Sequence, residues 1–359
     1  MSRSPSLERD PALNKLDEIL GCFEKTAYRN YVANTIRASA PGRAGDSFQK
    51  NVDLFAEVIR SKETIGNLIS RFRSGHGGGI VLAFIGVWQS VYHSFQPLAQ
   101  GFTPVEIAYC VAHRRRKMSL QRQLALKEAF NETPADLLSK SKILPGPKQL
   151  DVTKRITDPF DVLGPLEAAS VSCKSLNMYT LCSFAGVKIH WTTNLSRHLL
   201  LSKRDGKDIL EIYSLPSMFK SSTPAMIGLG NMELALEVRL SYASLFNPYQ
   251  PKHRGVLSRM LQRKKWCWCR HCMLARMRDV ELKGLKHDRG HAEQLMLPTY
   301  DETIQTLMAA HAVDWEIGSY NYLWTRVEAL EKFLRCSKPW GFRVLFRDNR
   351  NTAQYWTFV

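Results

Sequence analysis

Along most of this chain, apolar residues recur every three or four positions. One short stretch switches to alternation by two, and that contrast narrows the accessible folds most. Leu13, Leu16, Ile19, Leu20 and Phe23 share one helical face over residues 11–31. Val52, Phe55, Val58 and Ile59, followed by Ile65, Leu68, Ile69 and Phe72, predict one or two helices over 47–72. Residues 80–98 read as a buried, helical segment. Thr103-Pro104 opens a further helix, with Thr as cap and Pro in the first turn, that reaches Phe130. Val187-Lys188-Ile189-His190-Trp191 alternates instead and favours a strand. Ile209 to Tyr213 supplies a second strand. Between them lie a short helix over 194–200 capped by Asn194 and a turn at Arg204-Asp205-Gly206, so the two strands are expected to pair across that helix. Helical spacing returns over 229–246, 273–284, 300–313 and 320–334, and in a last segment ending at Phe358. The expected class is α+β, predominantly α-helical, with a small β element in the C-terminal half.

Breaks divide the chain. Residues 40–46 and the glycine-rich 75–79 read as connectors. Residues 134–165 are rich in Pro, Gly, Lys and Ser and mark the main boundary. They separate a helical N-terminal part, 1–133, from an α+β part, 166–359, which carries a basic insertion at 250–292. No repeat of fixed period is present.

Charge is the next constraint. The 359 residues carry a formal charge of +17, concentrated in two stretches. Residues 252–289 hold twelve Lys and Arg against three carboxylates; residues 113–157 hold eleven against four. Clustered cations are what a polyanion contact needs, since each neutralised phosphate releases counterions. Solvated loops carry such runs too. In the first stretch, Arg263, Lys264, Lys265 and Arg270 interleave with Trp266 and Trp268. Aromatics that stack bases beside phosphate-binding cations are the pattern of single-stranded nucleic-acid sites. Arg114, Arg115, Arg116 and Lys117 form a second patch with the composition of a nuclear-localisation run.

The opening MSRSPSLERD has no apolar core, so it does not read as a secretory signal. The most apolar run, 79–88, is about half the roughly 20 residues a membrane span needs. No membrane span is expected. Five of the eight cysteines are scattered, which points to reduced thiols in an intracellular protein, cytoplasmic or nuclear.

The other three cysteines belong to the sharpest local pattern, WCWCRHCMLARMRDVELKGLKHDRGH. Cys269-x2-Cys272 followed by His287-x3-His291 has a zinc spacing, with Cys267 and His271 beside it. A continuous helix over 273–284 opposes that reading, because it carries His287 about four turns from the thiols. The expectation is a basic helix with incidental thiols and no stoichiometric cofactor, with zinc as the alternative.

Catalytic patterns are missing. Residues 75–79 lack the Lys-Ser/Thr of a phosphate loop, and there is no Gly-x-Ser-x-Gly. His190 and His198 have no identifiable Cys or Asp partner. Glu233 and Glu237, one helical turn apart, do not by themselves make a di-metal site.

Several blocks resemble an uncharacterised filamentous-fungal family. VKIHWTTNLSRHLLLSKRDGKDILEIYSLPSMF, 187–219, is similar to its strand, Asn-Leu segment with His-Leu, second strand and Pro-Ser. MELALEVRLSYASLFNP, 232–248, resembles its long helix, and YNYLWTRVEAL, 320–330, and LFRDNRNTAQYWTF, 345–358, its closing pieces. The resemblance implies a fungal, intracellular protein and no known reaction. In the closing piece, Arg350 is expected to pair with Asp348, Glu328 or Glu331. Together these readings lead to a non-catalytic interaction protein whose basic surface meets an acidic protein or nucleic acid. The rival is an enzyme or accessory protein with a site built from separate segments.

Overall fold

The computed structural model describes residues 11–20, 26–38, 46–71, 77–88, 131, 133, 136, 144–146, 170–220, 232–249, 267, 269–287 and 300–337. It is α+β and mostly helical, with two small sheets in the C-terminal half. The patches at 114–117 and 263–266, Trp268, His291 and the closing block 345–358 lie outside the described residues.

Helices α1 (Pro11–Leu20), α2 (Ala27–Ala38), α3 (Asp46–Arg60), α4 (Ile65–Arg71) and α5 (Gly77–Trp88) form the N-terminal group. The spacing of apolar residues decides which faces meet. Leu16, Leu20, Val52, Phe55, Phe84 and Ile85 are buried together, with Phe55 edge-on to Phe84 at 5.5 Å between ring centroids. The connector expected at 75–79 is corrected in its second half: α5 already begins at Gly77. Burying the apolar face of α5 offsets the poor helix propensity of three successive glycines.

The C-terminal group is built around a three-stranded sheet, β2 (Lys188–Thr192), β4 (Lys207–Tyr213) and β3 (Leu200–Arg204), in that spatial order. β2 runs parallel to the central β4, with Ile189 opposite Leu210, and β3 runs antiparallel to it. The strands on either side of the Asn194-capped segment therefore pair as expected. That segment is one 3-10 turn, Leu195–Arg197, with Asn194 accepting from the Ser196 N–H at 3.0 Å. It ends earlier than expected, because Leu200 already belongs to β3.

Asp205 and Gly206 join β3 to β4 with φ of 49° and 73°. Two successive positive φ values are the two-residue hairpin that matches strand twist, and Asp-Gly tolerates it best. A Cβ at Gly206 would meet nothing within 4 Å, so its cost would be backbone strain alone. Gly206→Ala is expected to lower stability by about 1–2 kcal/mol, read as a shift in the urea midpoint with unchanged slope.

A second, two-stranded pair joins β1 (Ser170–Val171) to β5 (Trp315–Glu316). Around the sheets pack α6 (Met178–Phe184), α7 (Met232–Phe246), α8 (Arg270–His287), α9 (Thr303–Ala309) and α10 (Trp324–Cys336). The two groups touch through α2 and the 3-10 turn Pro216–Lys220. The Tyr28 N–H donates to Ser217 Oγ at 3.3 Å, and the Ser217 N–H donates to Asp301 Oδ2 at 2.7 Å. Among the described residues, no helix is long and apolar enough to cross a membrane.

His198 shows how a polar group is accommodated in the core of the C-terminal group. His198 is buried at the end of the 3-10 turn. Its Nδ1 accepts from the Tyr213 N–H at 3.1 Å, and Nε2 sits 2.8 Å from Ser241 Oγ, which donates to Val238 O. An accepting Nδ1 places the proton on Nε2. Burial, with the Arg326 charge beside it, pulls the imidazole down to about 3. His198 is thus a neutral structural bridge. His190 is exposed on β2.

Candidate functional site

The helix α8 gathers most of what the sequence singles out. It is 18 residues long, carries Arg270, Arg276, Arg278, Lys283 and Lys286, and has two carboxylates, Asp279 and Glu281. It continues unbroken through Gly284. Glu281 is half-buried and turned towards β2. Its carboxylate accepts from Trp191 Nε1 at 3.0 Å, and burial raises it above its ordinary value despite that bond. Asp279 is then the one exposed carboxylate of this helix, beside exposed Lys283 and Lys286 and a Val280 that is 66% exposed. Lys286 Nζ lies 4.9 Å from the centre of the Tyr300 ring, a cation–π distance.

The start of the helix is built from sulfur. Cys269 occupies the cap position: its carbonyl accepts from the Met273 N–H at 3.0 Å, and its Sγ accepts from the Cys272 N–H at 3.4 Å. Cys272 lies in the first turn and is buried, while Cys269 is exposed. Cys267 folds back towards them, and the ligand atoms of all three lie within 4.8 Å of one another. Arg276 fastens this arrangement. Its Nε donates to Cys272 O at 3.3 Å, and its Nη2 donates to Cys267 O and meets Met273 Sδ. His271 points elsewhere, with Nδ1 3.0 Å from Tyr249 O. The Cys269 N–H and thiol hold the Cys267 thiol below its ordinary value, whereas burial pushes Cys272 up to about 12. Three soft donors this close can bind a metal ion.

Between α8, α6 and the edge strand β2 runs an open groove of about 600 Å³. Its apolar wall includes Met178, Ile189, Met273 and Met277, and its polar groups include Arg276 and Glu281. Cys182 also lines it, with a thiol that burial pushes up to about 12, so it is no nucleophile at neutral pH.

The structure brings together part of each expected set. Arg270 opens the basic helix, half-buried. Cys269 and Cys272 meet as the zinc spacing requires. His287 does not join them: an unbroken helix sets its backbone about 22 Å along the axis from Cys272. The third donor is Cys267, which the Cys-x2-Cys…His-x3-His template passes over. Local spacing gives no signal for it, because the described contact that holds Cys267 comes from Arg276, nine residues on. Glu328 and Glu331, expected to pair with Arg350, have other described partners. Glu328 accepts from Trp324 Nε1 at 2.7 Å, and Glu331 pairs with Arg335 one turn on. In comparisons with known proteins, no family model, no curated protein and no solved structure matches this chain.

Proposed function

We propose that this is a non-catalytic, intracellular interaction protein, of the fungal kind its sequence blocks resemble, whose basic segment 252–289 contacts an acidic protein or nucleic acid. The observation that carries the reading is the charge layout of α8. Of its two carboxylates, Glu281 is turned onto Trp191, which leaves Asp279 as the exposed carboxylate beside exposed Lys283 and Lys286, with Arg270 and Arg278 half-buried along the same helix. Such a ridge attracts a polyanion at long range and contacts it with little sequence selectivity. Zinc at the thiol cluster is compatible with this role, because an ion there would fix the start of the basic helix.

The test uses the full chain with a labelled single-stranded RNA oligonucleotide and, separately, polyglutamate. Binding is expected to weaken steeply with salt. In the double variant Lys283→Glu, Lys286→Glu, the log–log salt slope is expected to fall by roughly two, about one per lost contact. The two ligands separate a nucleic-acid partner from an acidic protein. No binding of either at near-physiological salt, or a slope unmoved by the double variant, would remove this function.

A further inference from the structure

We propose that Cys267, Cys269 and Cys272 form a three-thiolate site for a zinc ion at the start of the Arg270–His287 helix. The geometry is close to what the ion needs. Zn–S bonds of about 2.3 Å in a tetrahedron set sulfurs roughly 3.8 Å apart. The three sulfurs already lie within 4.8 Å of one another, so modest side-chain rotation completes the set. Packing alone does not account for the convergence. One of the three thiols is buried and Cys269 is exposed, so the sulfurs meet at the rim of the fold and not in its core.

The surroundings favour the charge that forms. Binding makes three Zn–S bonds and releases three S–H protons to solvent, so the ion and its ligands carry one net negative charge. That charge sits at the N-terminus of an 18-residue helix, where the backbone dipole favours anions. Arg276 lies beside it, bonded to the carbonyls of Cys272 and Cys267. The fourth position is left to water or one further side chain. His287 is not that residue, because its backbone stands about four turns away. The ion would join Cys267 covalently to the first turn of the helix. The site stands apart from polyanion binding, since it rests on sulfur geometry and not on surface cations.

Zinc content of the full chain, purified without chelator, tests this directly. About one equivalent is expected. Cys269→Ser, exposed and therefore tolerated by the fold, is expected to lower it at least about tenfold; Cys267→Ser should do the same. Circular dichroism checks that the helices persist, and Cys336→Ser and His287→Ala should keep the ion. Cobalt(II) substitution gives a second readout, since thiolate-to-metal charge-transfer bands should appear in the wild type and weaken with each ligand lost. Less than a tenth of an equivalent after zinc addition, with no cobalt–thiolate bands, would overturn the assignment. So would zinc retained in the Cys267→Ser, Cys269→Ser double variant. A disulfide among the three, seen as two thiols lost under non-reducing denaturation with no zinc bound, would overturn it as well.

Discussion

Removing both Arg197 and Arg204 by alanine substitution is expected to destabilise the protein by about 3–5 kcal/mol at neutral pH, more than removing the carboxylate they hold. That carboxylate is Glu211, in the middle of the central strand and 1% exposed, whereas the two arginine side chains are 36% and 45% exposed. The asymmetry decides which deletion costs more. Without Glu211, the guanidinium groups can turn to water. Without the guanidinium groups, a carboxylate stays buried in the sheet with Ser202 Oγ, at 3.2 Å, as its remaining described partner. In the native protein, burial pulls Glu211 up, but the hydrogen bonds and charges of Arg197 and Arg204 outweigh it and hold the carboxyl below its ordinary value. Stability from this group is therefore present above the carboxyl's unfolded value and is lost as pH falls through the lowered folded one. In the double variant burial is opposed only by the Ser202 hydrogen bond and the more distant Arg326 charge, so the sign is expected to reverse and the buried carboxyl to gain by taking a proton. The stability gap between wild type and variant is expected to narrow as pH falls from 7.5 towards about 5. Paired urea titrations at both pH values measure it. A gap that is small at neutral pH, or that stays constant, would mean that Glu211 reaches water in the variant.

What sequence reading recovered, and what it missed, follows from how local each signal is. The alternation at 187–191 and 209–213 and the Asn194 cap depend on residues close together in the chain, and all three hold. β3 was hidden in the run Leu199-Leu200-Leu201, which lacks alternation; pairing with β4 makes it a strand. Two-residue strands such as β1 and β5 have no period to read, and only long-range pairing of Val171 with Trp315 defines them. The basic helix was legible as far as Gly284, which the sequence left open as a break; the helix runs on to His287, since one glycine costs only about 1 kcal/mol against a long stretch of helix formers. The thiol cluster was half legible. Cys269 and Cys272 share a helical turn by spacing alone, but Cys267 lies before the helix, and its carbonyl is held by Arg276, nine residues away. Glu237 was least legible, because its partners are backbone N–H groups 85 and 86 residues further along.

For Glu237 the expected result is a stability difference that depends on pH. The side chain projects from α7, is 4% exposed, and accepts from the Tyr322 N–H at 2.9 Å and the Leu323 N–H at 2.8 Å, one on each oxygen. Leu323 precedes the first residue of α10 and provides no side-chain cap of its own. A carboxylate from another helix thus satisfies the donors that α10 leaves open. Glu237→Ala strands one buried and one half-buried N–H group and is expected to cost about 2–4 kcal/mol. Glu237→Gln keeps one acceptor oxygen but sets an NH2 against the other donor, and about 1–3 kcal/mol is expected at pH 5. Two effects compete over the charge. Burial disfavours the anion, with Glu233 one turn away adding repulsion, while the two N–H donors favour it. Burial wins and pushes the carboxyl up to about 7, from an ordinary 4.5. The folded value exceeds the unfolded one, so this group's stabilising contribution is complete below about pH 4.5 and is lost as pH rises through about 7. The loss is roughly 3 kcal/mol at about 1.4 kcal/mol per pKa unit. The glutamine variant has no such loss. The wild-type advantage over Glu237→Gln should therefore shrink, or reverse, between pH 5 and pH 8, while other titrations cancel in the difference. An advantage that stays level across that range would mean that the two backbone donors outweigh burial and keep Glu237 ionised throughout.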